Sequence, residues 1–366
     1  MRLSEKRPLE KISLSGYKSF RDLNSFQMNS GLNVLIEANG SEKTNFIRFF
    51  ELLGNIMDAN KGLQNYVSSR GRADAFLFQG MKVTPEFTAH LEFGLNEYKF
   101  TLRAADDRSL FFAQESAPFA GPRFGPIKND QGSGHLESPL ARSANLSSSQ
   151  QWVANTIRDW QVYHFHDTSP SAAVMGRCNI VDNEVLHSNA ANIAAFLMDL
   201  SNRHPEHYEQ ILETVRQVAP FFGTFVLREI GSGQTQLLWK DRYSDLLYYP
   251  HQLSDGTVRY ICLATLLLQP DPSSTILIDE PELGLHPQAI KLLASLLHET
   301  AGRSQLIVST QSSVLLDEFE PEQVIVANHR DGETVLARQN HEQLKEWLKE
   351  YTLGQLWEKN ELEGQP

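Results

Sequence analysis

The sequence predicts an α/β fold in which helices flank a mixed β-sheet, with an inserted helical and irregular subdomain between two halves. Three observations predict it. A strand, a small-residue turn and a helix follow one another from Leu32 to Met57, and a strand–helix–strand run spans Thr275 to Thr310. Between them lies a stretch rich in Gly, Pro and Ser, the composition of turns rather than of regular elements. Strand–helix–strand order with unbroken apolar strands is the pattern of a parallel sheet covered on both faces.

A chain of 366 residues, 41% of them apolar, can build a substantial core. No apolar run is long enough for a membrane helix, and the opening MRLSEKRPLEKISL has no apolar core of a secretory signal, so a cytoplasmic protein without membrane association is expected. The two cysteines, Cys178 and Cys262, are too few for a disulfide framework and read as fillers of small buried sites. A formal net charge of -12 argues against coating nucleic acid by bulk electrostatics and leaves only a local basic groove. Its one candidate, Arg70–Gly71–Arg72, reads more plainly as a solvated turn.

In order along the chain, ISLSGYKSFRDLNSFQMNSGLNVLIEANG alternates apolar and polar residues and predicts two strands ending at a tight turn. Phe46, Phe49, Phe50, Leu53 and Ile56 then repeat at helical spacing. FTAHLEFGL and YKFTLRA predict a hairpin, and Ala104 to Gln150 an irregular excursion. Helices are expected over Asn192–Leu200 and Pro205–Ala219, followed by a hairpin-like pair, FVLREI and TQLLWK. Near the end, TVRYICLATLLLQ reads as a buried helix, STILIDEP and SQLIVST as buried strands, and HPQAIKLLASLLHET as the helix between them. The expected division is 1–103, an N-terminal lobe; 104–245, the insert; and 246–366, a C-terminal lobe. No sustained heptad occurs, which excludes a long coiled-coil arm.

Four motifs carry chemistry. A phosphate-binding loop reads G-x-x-x-x-G-K-[ST], because glycines let backbone N–H groups close on phosphate, Lys neutralises charge and the hydroxyl reaches magnesium. Here the eight positions are Glu37, Ala38, Asn39, Gly40, Ser41, Glu42, Lys43 and Thr44, so Lys and Thr are present and both glycines are glutamates. TILIDEPE places Asp279 and Glu280 at the end of a buried strand, where one acid can hold magnesium and the next can polarise water. LSDGT, Leu253–Thr257, opens a helix with N–H groups and a hydroxyl suited to an anion. LIVST leads to Gln311.

The order EANGSEKT, LSDGT, TILIDEPELGLHP, LIVSTQS resembles the ATPase heads of the ABC type, a class of P-loop NTPase that includes RecF, SMC and OLD proteins. With YHFHDTSPSA, RQVAPFF and LKEYTLGQLWEKNELEG, it is similar over nearly its whole length to compact bacterial "predicted AAA ATPases". The resemblance implies ATP and magnesium as cofactors. It implies that Asn39, Gly40 and Ser41 supply loop N–H groups, that Lys43 meets the β and γ phosphates, and that Thr44 and Asp279 serve the metal. Glu280 would orient or deprotonate water, with Gln311 where such enzymes commonly carry histidine. Ser254 and Gly256 would cap the γ phosphate of a nucleotide bound to a second copy, making a homodimer that sandwiches ATP, with Leu283–His286 near the seam. An ATP-dependent dimeric switch in DNA maintenance or anti-phage defence follows, with DNA and a Toprim-like nuclease as partners.

The departures set a second reading beside this one. A carboxylate about 5 Å from one phosphate charge costs roughly 3 kcal/mol at an effective dielectric near 20, and under about 1 kcal/mol if it points into water. Glutamate also resists the backbone conformations that glycine permits. Nucleotide binding is therefore expected to be weakened or lost, which fits a regulatory or scaffold subunit, or a site working with a better partner. Glutamine can hydrogen-bond phosphate or water but cannot shuttle a proton.

Other constellations carry less. His164 and His166 alternate beside Asp167, but a metal site needs further ligands, and the resemblance favours a loop facing the nucleotide. No G-x-S-x-G elbow and no Toprim-type Asp-x-Asp occurs, so any nuclease activity belongs to another polypeptide. The C-terminal Leu, Trp and Tyr residues at helical spacing predict packing against the head, with partner docking as the alternative.

Overall fold

A computed structural model describes residues 8–37, 42–121 and 125–362, apart from the side chains of residues 42–44 and 126. The N-terminal part contains β1 (Lys11–Tyr17), β2 (Phe20–Gln27), β3 (Leu32–Glu37), α1 (Glu42–Met57), α2 (Leu63–Ser69), β4 (Glu86–Phe93) and β5 (Asn96–Ala104). It continues with β6 (Leu110–Ser116), β7 (Phe119–Gly121), β8 (Gly125–Ile127), β9 (Asp130–Gly132), α3 (Pro139–Arg142), α4 (Ser148–Arg158) and β10 (Gln161–Tyr163). The middle contains β11 (Arg177–Asn179), α5 (Ile193–Arg203), α6 (Pro205–Val218), β12 (Phe222–Phe225), β13 (Gln234–Gln236), β14 (Trp239–Asp241) and β15 (Leu247–Tyr248). The last part contains α7 (Asp255–Leu268), β16 (Thr275–Asp279), α8 (Pro287–Ala301), β17 (Gln305–Thr310), α9 (Ser313–Leu316), β18 (Val324–Arg330), β19 (Glu333–Arg338), α10 (His341–Leu344) and α11 (Leu353–Glu358).

The central sheet has the order β10-β16-β17-β3-β18-β19 and is parallel except for β19. Its strands are apolar on both faces because each face meets a different core. Val34, Ile36, Ile276, Ile278, Leu306 and Val308 point into one core. Their neighbours Leu35, Leu277 and Ile307 point into the other, as the two-residue period of a strand requires. The first core is covered by α5 to α8, and the second by α1 and an antiparallel sheet, β2-β1-β4-β5-β6-β9.

The helical spacing in α1 is aromatic for a reason. Phe46 and Phe50 meet with ring centroids 5.3 Å apart, Phe49 stands 5.3 Å from Tyr17, and Phe50 stands 5.3 Å from Trp160. Edge and tilted contacts of this kind lock the helix between the two sheets. The helix is therefore packed between Tyr17 of β1 and Trp160, which precedes β10.

Three expectations change. The opening segment forms three strands rather than two, since β1 and β2 make their own hairpin before β3 begins. The Ala104–Gln150 stretch is not irregular: β6 extends the antiparallel sheet with Leu110 and Phe112 buried, and short β7–β9 follow it. The hairpin-like pair is shifted, because β12 pairs with β14 while β13 pairs with β11. The tail packs against the head as expected, through short helical turns whose Leu353, Leu356 and Leu362 enter the first core. Gly354 lets the tail approach α9 closely, since a Cβ there would meet the Ser313 carbonyl. No helix among the described residues is long and apolar enough to cross a membrane.

Candidate functional site

Parallel strands end together, so β3, β16 and β17 deliver their C-termini to one edge. Asp279 is opposite Ser309, Ser309 is opposite Leu35, and β3 runs on to Glu37 beside Ala327 of β18. The end of β3 thus stands two inter-strand spacings, about 10 Å, from Asp279. Helix α1 starts just beyond it, with Lys43 and Thr44 in its first turn. Asn39, Gly40 and Ser41 lie outside the described residues, as do the side chains of Glu42, Lys43 and Thr44.

The acids are held by a hydrogen-bond network. The Ser309 hydroxyl donates to Asp279 Oδ1, and the Glu280 N–H donates to the Ser309 carbonyl at 3.0 Å. Glu280 adopts φ 40°, a left-handed conformation that costs a non-glycine residue energy and turns the chain sharply at the strand end. Gln311 Nε2 donates to Glu280 Oε1 at 2.8 Å, so two residues singled out from separate motifs are in direct contact. Glu282 Oε1 accepts from the Thr310 hydroxyl at 2.6 Å and from the Gln311 N–H at 3.2 Å. Its Oε2 is buried without a hydrogen-bond partner among the described residues, and burial pushes its pKa above the usual glutamate value.

Two histidines close the other side. His164 Nε2 meets Glu51 Oε1 of α1 at 2.9 Å, and its Nδ1 stands 3.9 Å from Asp279 Oδ2. His166 Nε2 lies 2.8 Å from the Asp279 carbonyl. Glu51 also accepts from the Tyr66 hydroxyl at 3.0 Å. Its pKa lies below the usual value, because the His164 and Tyr66 hydrogen bonds and the nearby cations outweigh the opposing effect of burial. His164 thus links Asp279 to α1. Among the described residues no group of three or more His, Cys, Asp or Glu could hold a metal by itself. A lone strand-end carboxylate beside hydroxyl and amide oxygens instead fits a hydrated hard cation that takes its remaining ligands from water and phosphate.

The LSDGT segment sits apart from this network. Ser254 caps α7, its hydroxyl accepting from the Thr257 N–H at 3.2 Å, while Ser254 and Asp255 are exposed. Gly256 is required sterically: a Cβ there would stand 2.5 Å from the Gly284 carbonyl oxygen. Gly284 is in turn left-handed, at φ 75°, and follows Leu283, which is 47% exposed. Arg259, one turn into α7, is 4% exposed and donates to the carbonyls of Phe165, His166 and Leu283. One guanidinium therefore joins the signature helix, the histidine loop and the segment after the acids.

Sequence reasoning did not pick out Glu51, Glu282, Ser309 or Arg259. Glu282 and Ser309 stood inside quoted motifs, so the signal was present. Glu51 is hidden among the apolar residues of a helix, 113 positions from its histidine.

Comparison with known proteins identifies the family and the fold. The chain belongs to the family described as "AAA domain, putative AbiEii toxin, Type IV TA system", whose pattern matches residues 32–317. Its fold is that of an ABC-type ATPase head of the RecF/SMC-like class. An Smc head solved bound to the C-terminal winged-helix domain of ScpA is similar at TM-score 0.59 and 17% identity, covering 93% of this chain and 99% of that one. An Smc head with an extended coiled coil, bound to the C-terminal domain of ScpA and derived from Pyrococcus furiosus, is similar at 0.55 and 15%, covering 94% and 99%. One with a coiled coil and joint, from Pyrococcus yayanosii, is similar at 0.53 and 13%, covering 94% and 99%. No curated protein sequence matches.

Proposed function

We propose that this chain is an ATP-dependent switch in which two copies close head to head around nucleotide. The observation that carries the reading is the shared edge, where the start of α1, Asp279, Glu280 and Gln311 lie at the ends of neighbouring parallel strands. There, N–H groups of Asn39, Gly40 and Ser41 cradle phosphate and Lys43 neutralises it. Thr44 and Asp279 would hold magnesium, which supplies charge stabilisation to the phosphates when bound. Glu280, positioned by Gln311, orients or deprotonates the attacking water. Ser254 and Gly256 of the second copy cap the γ phosphate. The exposure of Ser254, Asp255 and Leu283 supports a surface that meets another head.

The reading extends to a role in DNA maintenance or anti-phage defence with a Toprim-like nuclease and DNA. The family resemblance supports it, as does the docking of a second polypeptide on the solved Smc heads. Glu37 favours a second reading, a regulatory subunit that keeps the dimer surface without turnover. It is 4% exposed and stands at the end of β3, where the loop pattern calls for glycine.

Sedimentation of the Glu280→Gln protein tests the switch. Magnesium and ATP should convert monomer to dimer, and Ser254→Arg should prevent this. A monomer under all conditions, or a dimer indifferent to nucleotide and to Ser254→Arg, overturns it.

A further inference from the structure

Gln311 stands where β17 leaves the sheet, exposed to solvent, yet it is gripped at both ends by one turn of the chain. Its side-chain Nε2 donates to Glu280 Oε1 at 2.8 Å, and its main-chain N–H donates to Glu282 Oε1 at 3.2 Å. Between the two glutamates lies buried Pro281. An exposed glutamine has many rotamers open to it, and fixing its backbone selects those that reach Glu280.

Glu282 does this fixing from beneath. Its Oε1 also accepts from the hydroxyl of buried Thr310 at 2.6 Å, and that hydroxyl accepts from the Ser312 N–H at 3.0 Å. Ser312 in turn caps α9, its hydroxyl accepting from the Leu315 N–H at 3.2 Å. Thr310 and Gln311 thus hang directly on one carboxyl oxygen, and Ser312 hangs on it through Thr310. The other oxygen, Oε2, is buried with no hydrogen-bond partner among the described residues. A buried polar atom without a partner is destabilising. A glutamate kept at that cost points to a task for Oε1.

We propose that Glu282 is a positioning residue: by holding the Gln311 main chain, it sets the Gln311 amide against Glu280 and so aims the carboxylate that meets the attacking water. The effect on turnover rests on the proposed ATPase reading, whereas the geometry that Glu282 sets does not. Misplacing a group by about 1 Å can cost about a hundredfold in rate, so the loss should fall on kcat rather than on nucleotide affinity.

Selective 15N labelling of glutamine, with the Gln311 signals assigned through Gln311→Ala, tests this in the protein without nucleotide. Glu282→Ala should speed exchange of the Gln311 main-chain N–H about tenfold or more. It should also move the side-chain NH2 signal toward its position in Glu280→Ala, although Glu282 makes no contact with that amide. Glu282→Gln, which keeps an oxygen at the same reach, should leave both readouts near those of the parent. Glu282→Asp, one methylene shorter, should shift both in the direction of the alanine variant, and it decides the matter should that variant fail to fold. In steady-state hydrolysis Glu282→Ala should lower kcat about tenfold or more with KM within about twofold. It should cost nothing further in the Gln311→Ala background, because the two residues act as one unit. A side-chain signal that stays in place, an unchanged kcat, or a loss that adds fully to that of Gln311→Ala overturns the proposal. The signals are read without hydrolysis, so a parent that does not turn over ATP refutes the proposed function and leaves this test standing.

Discussion

The two ends of the same sheet edge differ in how closely their residues follow the motifs they resemble. At β16 and β17, Asp279, Glu280, Glu282, Ser309, Thr310 and Gln311 bond to one another, and the segment beyond them is clamped by Arg259 and Gly256. At β3, which pairs with β17 on its other side, glutamates occupy both positions where a phosphate loop carries glycine. On the proposed function the acid end carries the residues the motif calls for, whereas the loop end departs from the phosphate-loop pattern in charge and in backbone freedom. On the proposed function, affinity and turnover need not change together, because phosphate grip and water activation are assigned to different strand ends.

The comparison can be broken at either end. Arg259→Met should have the largest effect, lowering stability by about 4 kcal/mol in urea titration, because three carbonyls lose charged donors inside the protein. Arg259→Lys should recover little, since one ammonium cannot span three acceptors. A loss below about 1 kcal/mol would show that the clamp is dispensable.

At the other end, Glu37→Gly with Glu42→Gly should tighten ATP binding by about 3 kcal/mol, or roughly a hundredfold, in equilibrium dialysis. Unchanged affinity would remove the contrast between the two ends. Gly256→Ala should follow at about 2 kcal/mol of lost stability, because its Cβ would collide with the backbone of Gly284. The smallest effect concerns Glu282. Burial raises its folded pKa, so the native state holds the proton more tightly than the unfolded chain and unfolding releases it. Stability should therefore fall as pH rises from the unfolded glutamate value through the folded one. Glu282→Gln should flatten that part of the profile in chemical denaturation measured across pH.

Much of this was legible in the sequence, for identifiable reasons. Unbroken apolar runs in LIVST and TILID marked buried parallel strands, and DEPE and STQS marked the edge where Glu280 and Gln311 meet. The strand β18 escaped notice although Val324–Ala327 is wholly buried, because its apolar run is short and passes directly into Asn328, His329 and Arg330. The strand β10 spans only three residues, too few for a period to register. β6 was masked by the Gly- and Pro-rich segment around it. Contacts between distant positions, such as Glu51 with His164 or Gly256 with Gly284, have no local signature, because the fold alone brings them together.

Steady-state ATP hydrolysis, with and without magnesium, in the unaltered chain and in Glu280→Gln tests the central claim most directly. The account predicts magnesium-dependent turnover in the first, weakened by a high KM, and at least about a hundredfold loss in the second. Equal turnover in both proteins, or none in the unaltered chain even at saturating ATP, would contradict it.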